Sequence, residues 1–181
     1  LTHSTHPVGA GEMVLVHAAA GGTGALITRM ASLRGARVIG TVSTAEKEKV
    51  ARAAGAAEVI RYREVDDLAA AVHSLVPQGV DLVYDGVGAA TFDASLASLR
   101  PRGMLVLFGA SSGLVPPFDP QRLQAGGSLF LTRPTMAHYV ATREARLTRA
   151  GDGFVLVLSG RRPIRVGGRY PLAEAADAVV P

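Results

Sequence analysis

Val14, Leu15 and Val16 are apolar without interruption, and after His17 the run Ala18 to Gly24 consists of small residues. A continuous apolar run suits a strand buried on both faces, and the small residues suit a tight turn into a helix. From Ala25 to Arg34 the period changes: Leu26, Ile27, Met30 and Leu33 fall on one helical face, and Arg34-Gly35 is a stop signal. The alternation then recurs. Ala36–Val42 reads as a second strand, Ser43 or Thr44 as the cap of a helix over Ala45–Ala54, and Glu58–Arg61 as a third strand. A helix over Val65–Val76, with Leu68, Val72, Leu75 and Val76 inward, leads through Pro77-Gln78-Gly79 to a fourth strand at Val80–Tyr84. Asp85-Gly86-Val87-Gly88 is a second glycine-bearing strand end, followed by a helix over about 89–99, a turn at Arg100–Gly103 and a fifth strand at Met104–Phe108. Gly109–Pro120 is too rich in Gly, Ser and Pro for a regular element, and a long loop at a strand end is usually functional. A short helix at Gln121–Ala125 and a sixth strand at Ser128–Thr132 follow. Thr142–Leu158 carries helix-forming residues interrupted by Gly151 and Gly153, and Ile164–Val166 and a helix at Leu172–Ala178 close the sequence.

Six strands with helical crossovers imply an α/β fold with a doubly wound parallel sheet in a single domain, its strand carboxyl ends along one edge. The 181 residues suffice for one sizeable core, and 48% apolar with 5% aromatic composition favours helices packed closely on a sheet. Residues 1–12 read as a polar leader and 13–181 as the domain. There is no Cys, which removes disulfides, thiolate ligands and a Cys nucleophile and makes cytoplasm the default compartment. No segment resembles a signal peptide or a membrane span. The net charge of +4 comes from basic residues that are all Arg except Lys47 and Lys49, scattered along the chain. A nucleic acid is one polyanion such a surface attracts, and a dinucleotide phosphate is another.

From Ala19 the spacing is Ala-x-Gly-x-x-Gly, a dinucleotide-binding turn with Ala in place of its first glycine. A diphosphate there approaches backbone N–H groups at a helix start, where the dipole favours negative charge. Gly22 and Thr23 are the expected donors, Gly21 shapes the turn, and Gly24 lets the helix approach the strand. The second strand ends Gly40-Thr41-Val42-Ser43-Thr44 without the carboxylate that would hold a ribose 2′-hydroxyl. The hydroxyls at its tip and Lys47, one turn into the next helix, suit a 2′-phosphate instead, so NADPH is the expected cofactor. Tyr62, between Arg61 and Arg63, falls by topology near the adenosine end, where it can hydrogen-bond or stack or simply sit half-buried at the edge. No catalytic constellation stands out. His3-x-x-His6 has ligand spacing but no supporting residues, His17 reads as structural, and Ser111 and Ser112 lack a nucleophile-elbow pattern.

Taken in order, VLVHAAAGGTG (Val14–Gly24), Arg37–Val42, Ile60–Glu64, Val83–Gly88, LRPRGMLVLFGASSG (Leu99–Gly113) and SLFLTRP (Ser128–Pro134) resemble the zinc-independent quinone oxidoreductases, or zeta-crystallin-like enzymes, of the medium-chain dehydrogenase/reductase superfamily. The resemblance implies a Rossmann domain for NADPH, with the diphosphate over Gly22 and Thr23 and the 2′-phosphate near Ser43, Lys47 and Tyr62. The rest of the trough would follow Val87, Phe108, Gly109, Ala110 and Ser111, then Thr132, Pro134 and Thr135. Thr23 stands where the family usually has Val, and Gly86 where it commonly has Ser. The resemblance further implies reduction of a quinone or related electron-poor acceptor, no metal, and a homodimer paired through the sixth-strand edge. It also implies an N-terminal barrel-like domain not seen in this sequence, so the chain is expected to be a cofactor-domain fragment, incomplete at its C-terminus, with little activity alone. The alternatives are a domain that binds NADPH or RNA without catalysis, and an enoyl-reductase domain of a polyketide synthase.

Overall fold

The computed structural model describes residues 1–160 and 168–177. Two compact units follow one another, Leu1–His138 and Tyr139–Pro181. The first holds a six-stranded, all-parallel sheet of order β3-β2-β1-β4-β5-β6. Its strands are β1 (Met13–Val16), β2 (Arg37–Val42), β3 (Glu58–Arg61), β4 (Val80–Asp85), β5 (Leu99–Leu107) and β6 (Phe130–Thr132). The crossover helices are α1 (Gly22–Leu33), α2 (Ala45–Ala53), α3 (Leu68–Leu75) and α4 (Phe92–Ala97), with a short α5 (Gln121–Ala125) before β6. This is the Rossmann arrangement, with the strand order reversing between β1 and β4.

Each face of the sheet has its own core. Val14, Val16, Val38, Leu82, Tyr84 and Val106 pack with Ile27 and Ala31 of α1 and Ala51 of α2, while Leu15, Ile39, Val83 and Leu105 pack with Val72 of α3 and Phe92 and Leu96 of α4. Alternate residues of one strand serve opposite cores, which is why the central strands carry no polar alternation.

Several boundaries differ from the sequence reading, each for a local reason. The buried face of α1 runs through Gly24, Ile27, Thr28 and Ala31, with Leu26, Met30 and Leu33 half-buried, because the small residues bring the helix close to the sheet. Helix α3 starts at Leu68, where the Asp67 side chain accepts from Ala70 N at 2.9 Å. The Arg100–Gly103 turn is a bulge inside a longer β5: Val80 pairs with Leu99 and Leu82 with Met104, Arg102 has φ 62°, and Arg100 Nε donates to Asp81 Oδ1 at 2.6 Å. Helix α4 is correspondingly shorter than 89–99. The 1–12 segment is anchored: Arg34 donates to Val8 O at 2.9 Å, and Glu12 accepts from Gly9 N and pairs with His6, both at 2.9 Å.

A four-residue helix, α6 (Met136–Tyr139), follows β6 and is not foreseen in the sequence. In the second unit, α7 (Arg143–Leu158) continues through Gly151 and Gly153, its start capped by Thr142 accepting from Ala145 N at 3.1 Å. Leu172–Glu174 is a single 3-10 turn, shorter than the expected helix, whose end at Ala178 lies outside the described residues, as does the Ile164–Val166 segment. No helix among the described residues is long and apolar enough to cross a membrane.

Candidate functional site

The strand carboxyl ends share one edge of the sheet, and the crevice of a doubly wound sheet opens there. The chain leaves β1 through His17 and Ala18, the latter at φ 50°. Ala19 N donates to Thr41 O at 3.0 Å and Gly21 N to Ala18 O at 2.9 Å, which fixes the turn. Helix α1 starts at Gly22 with Gly21 at its N-cap, no capping side chain and no acidic residue in its first turn. In contrast α2, α3 and α7 are capped by Thr44, Asp67 and Thr142. The first-turn amides of α1 therefore lack a helical or side-chain acceptor, with the positive end of the helix dipole behind them. A Cβ on Gly22 would meet nothing within 4 Å, whereas one on Gly24 would strike the Ala18 carbonyl. Gly24 is thus the packing contact and Gly22 the open side, where backbone N–H groups can be approached by a diphosphate.

Beyond β2, Thr44 and not Ser43 caps α2, accepting from Lys47 N at 3.3 Å, so the Ser43 hydroxyl is not consumed by the cap. Arg61 pairs with Glu48 at 3.4 Å and Glu64 at 2.8 Å, and Arg52 with Glu48 at 2.8 Å. Among the described residues Lys47 and Arg63 make no ion pair, and Tyr62 is 45% exposed. Lys47, Lys49 and Arg63 thus carry positive charge that no ion pair among the described residues engages.

Under the crevice lies a buried polar chain that sequence reading does not contain. Asp85, at the end of β4 and fully buried, accepts through Oδ1 from Val87 N (2.8 Å) and Gly88 N (3.0 Å) and through Oδ2 from Thr91 Oγ1 (2.8 Å) and Ser95 Oγ (2.7 Å). Ser95 Oγ lies 3.0 Å from His17 Nε2, and His17 Nδ1 lies 3.1 Å from Thr41 Oγ1. Burial lowers the His17 pKa below the ordinary imidazole value, against the opposing pull of the Asp85 charge. The Asp-Gly pair at a strand end was a readable turn signal for Asp85. Ser95 sits in a helix 78 residues from His17, and no local pattern joins them.

Asp85 also ties the next loop. Its carbonyl accepts from Phe108 N at 2.8 Å and Gly109 N at 3.3 Å, while Ser111 N reaches Gly86 O at 3.3 Å and Ser112 N reaches Val87 O at 2.8 Å. The structure thus brings Val87 together with Phe108, Gly109, Ala110 and Ser111. A Cβ on Gly86 would sit 2.8 Å from the Phe108 ring, closer than a side chain tolerates. Thr132 pairs in register with Val106, and Arg133, between it and Pro134 and Thr135, donates to Leu107 O at 3.0 Å. Two adjoining cavities of about 330 and 470 Å³, between α4, α5 and residues 114–118, share Phe92, Val115, Pro116, Pro117 and Phe118. They lie away from the glycine turn, and Gly109 and Ala110 line the larger one. Among the described residues no three His, Asp or Glu side chains gather as metal ligands.

Residues 22–148 match the family described as zinc-binding dehydrogenase. The chain is 42% identical over 180 residues to a 2-haloacrylate reductase of a Burkholderia species, covering 98% of this chain and 54% of that protein. Among solved structures it is similar to a mycobacterial protein complexed with NADPH, with 53% identity, TM-score 0.91, and coverage of 98% of this chain and 55% of the other. It is likewise similar to Escherichia coli quinone oxidoreductase complexed with NADPH, with 40% identity, TM-score 0.88 and coverage of 92% and 51%. The chain spans about half the length of the relatives it matches.

Proposed function

The chain belongs to the zinc-binding dehydrogenase family, and from that premise we propose that it is the NADPH-binding half of a quinone oxidoreductase. The observation that carries this reading is the start of α1: uncapped amides, an open Gly22 and a Gly24 pressed on the Ala18 carbonyl form an acceptor-free cradle that fits a diphosphate. The solved relatives complexed with NADPH support it. In this reading Gly21 to Gly24 hold the diphosphate, and Ser43, Lys47 and Tyr62 hold the 2′-phosphate, with Arg63 adding charge. Val87, Phe108 to Ser111, Thr132, Pro134 and Thr135 line the remainder.

Bound NADPH supplies a hydride from its nicotinamide ring. The residues of this chain bind and orient the cofactor, and none of them takes a catalytic role. Quinone reduction is assigned to the enzyme as a whole, whose acceptor site draws on residues outside residues 13–181. We read the enzyme as cytoplasmic and as working without zinc: the chain has no Cys, and elemental analysis of purified protein should find no stoichiometric metal. We also propose a homodimer through β6, the last strand of the sheet, which presents Phe130 at 52% exposure.

Titration of the chain with NADPH and NADH, followed by the fluorescence of bound nucleotide, tests the central claim. Tighter binding of NADPH supports it, and absence of binding to either nucleotide overturns it. A second acceptor class is favoured by the relative that is a 2-haloacrylate reductase. Parallel assays with a simple quinone and a 2-haloacrylate, using the enzyme as it occurs in its host, distinguish a quinone from an activated alkene.

A further inference from the structure

We propose that His17 is a positioning residue of the crevice: a neutral imidazole, protonated on Nε2, that joins the Thr41 hydroxyl on β2 to the Asp85 carboxylate through Ser95 and thereby sets the Val87–Gly88 wall. The inference rests on the NADPH reading above and deepens it, because it assigns the wall's geometry to a residue that lies beneath the crevice.

The proton positions follow from donor accounting. Ser95 has one hydroxyl hydrogen, and it is committed to Asp85 Oδ2 at 2.7 Å, since a carboxylate only accepts. The 3.0 Å contact between His17 Nε2 and Ser95 Oγ must then be an N–H donating to the hydroxyl oxygen. A neutral ring with hydrogen on Nε2 leaves Nδ1 bare, and the Thr41 hydroxyl 3.1 Å away supplies its hydrogen. Burial favours that neutral form. His17, Thr41, Asp85 and Ser95 are all at most 2% exposed, so water cannot replace a lost partner cheaply. The chain spans β2, β1, α4 and the end of β4, linking the adenosine side of the crevice to the turn that carries Val87. Asp85 receives four hydrogen bonds, and loss of the one from Ser95 lets the carboxylate turn about its remaining Thr91 contact, which moves Oδ1 and with it the Val87 and Gly88 amides that it holds.

The test uses the full chain and the variants Ser95→Ala, His17→Gln and His17→Phe. Dissociation constants are measured for NADPH and for 2′,5′-ADP, which occupies the adenosine end alone. Ser95→Ala and His17→Phe should weaken NADPH about tenfold while changing 2′,5′-ADP less than about twofold. His17→Gln, with one donor and one acceptor, should restore most of the NADPH affinity. Imidazole 15N signals should show His17 Nδ1 bare and Nε2 protonated at neutral pH. Equal weakening of both ligands, unchanged NADPH affinity in Ser95→Ala, or the opposite tautomer overturns the proposal. Should His17→Phe fail to fold, Ser95→Ala removes a single oxygen and decides alone. If the unaltered chain binds no NADPH, the cofactor reading falls by itself. Amide exchange at Val87 and Gly88 then decides the positioning claim: faster exchange in Ser95→Ala supports it, and unchanged exchange overturns it.

Discussion

Gly86 and Phe108 show how a single missing carbon shapes the crevice. A Cβ at Gly86 would sit 2.8 Å from two carbons of the Phe108 ring, which lies half-buried over the turn. Gly86→Ser should therefore rotate or lift the ring and change NADPH affinity severalfold, at a stability cost of about 1 kcal/mol, because an edge ring yields more readily than a packed core. Ring-proton shifts of Phe108 together with a nucleotide titration check this, and unchanged shifts would show that the turn moves instead. His17 provides a test by pH. Its pKa is lower in the folded state than the 6.5 of a free imidazole, so unfolding takes up a proton between those two values. The corresponding stability is complete above pH 6.5 and is lost as pH falls from there toward the folded-state pKa. Urea midpoints measured from neutral to mildly acidic pH should fall along that slope, and His17→Gln should flatten it.

At the scale of the element, α1 begins without a side-chain cap, as α4 and α5 do, and differs from both in its glycine-rich first turn. Gly21 has φ −74° and ψ 168°, an extended conformation open to any residue, and a Cβ there would lie 3.3 Å from Ala18 O. Gly21→Asp should give α1 the side-chain cap that α2, α3 and α7 already possess. The free chain gains up to about 1 kcal/mol from the cap, while the carboxylate repels a diphosphate from the same amides. The expected result is a higher melting temperature in the absence of nucleotide and at least about tenfold weaker NADPH binding, read by calorimetry on one preparation. A rise in both would place the diphosphate elsewhere. The elements also show how much the sequence made legible. Strands β1 to β4 and the glycine-ended helices α1 and α2 are written in contiguous runs, because buried parallel strands must be apolar throughout. The bulge in β5 was not, since it depends on Asp81 of the neighbouring strand binding both Arg100 and Met13 N. Of the site, the glycine turn was readable from spacing. The Asp85–Ser95–His17–Thr41 chain was not, because its members meet only after three strands and a helix have packed.

For the molecule as a whole, the sheet ends on an exposed strand. β6 is three residues long, pairs with β5 through Met104, Leu105 and Val106, and turns Phe130 outward. A short strand with an exposed aromatic suits pairing with a second copy, and a lysine there opposes it. Phe130→Lys should shift the protein from dimer to monomer in light scattering after size exclusion while leaving NADPH affinity within about twofold. A monomer in both forms would sink the dimer proposal.

The double grip of Asp85 on two loops has a bearing on how such a fold can change over time. Its side chain holds the turn at 87–88 and its carbonyl holds Phe108 and Gly109, so an insertion within 86–88 or 108–112 would break these attachments. From Leu114 onward those attachments cease, and Leu114 itself is 81% exposed. Lengthening or grafting the 114–118 segment therefore alters the lining of the neighbouring cavities while leaving the attachments of Asp85 in place.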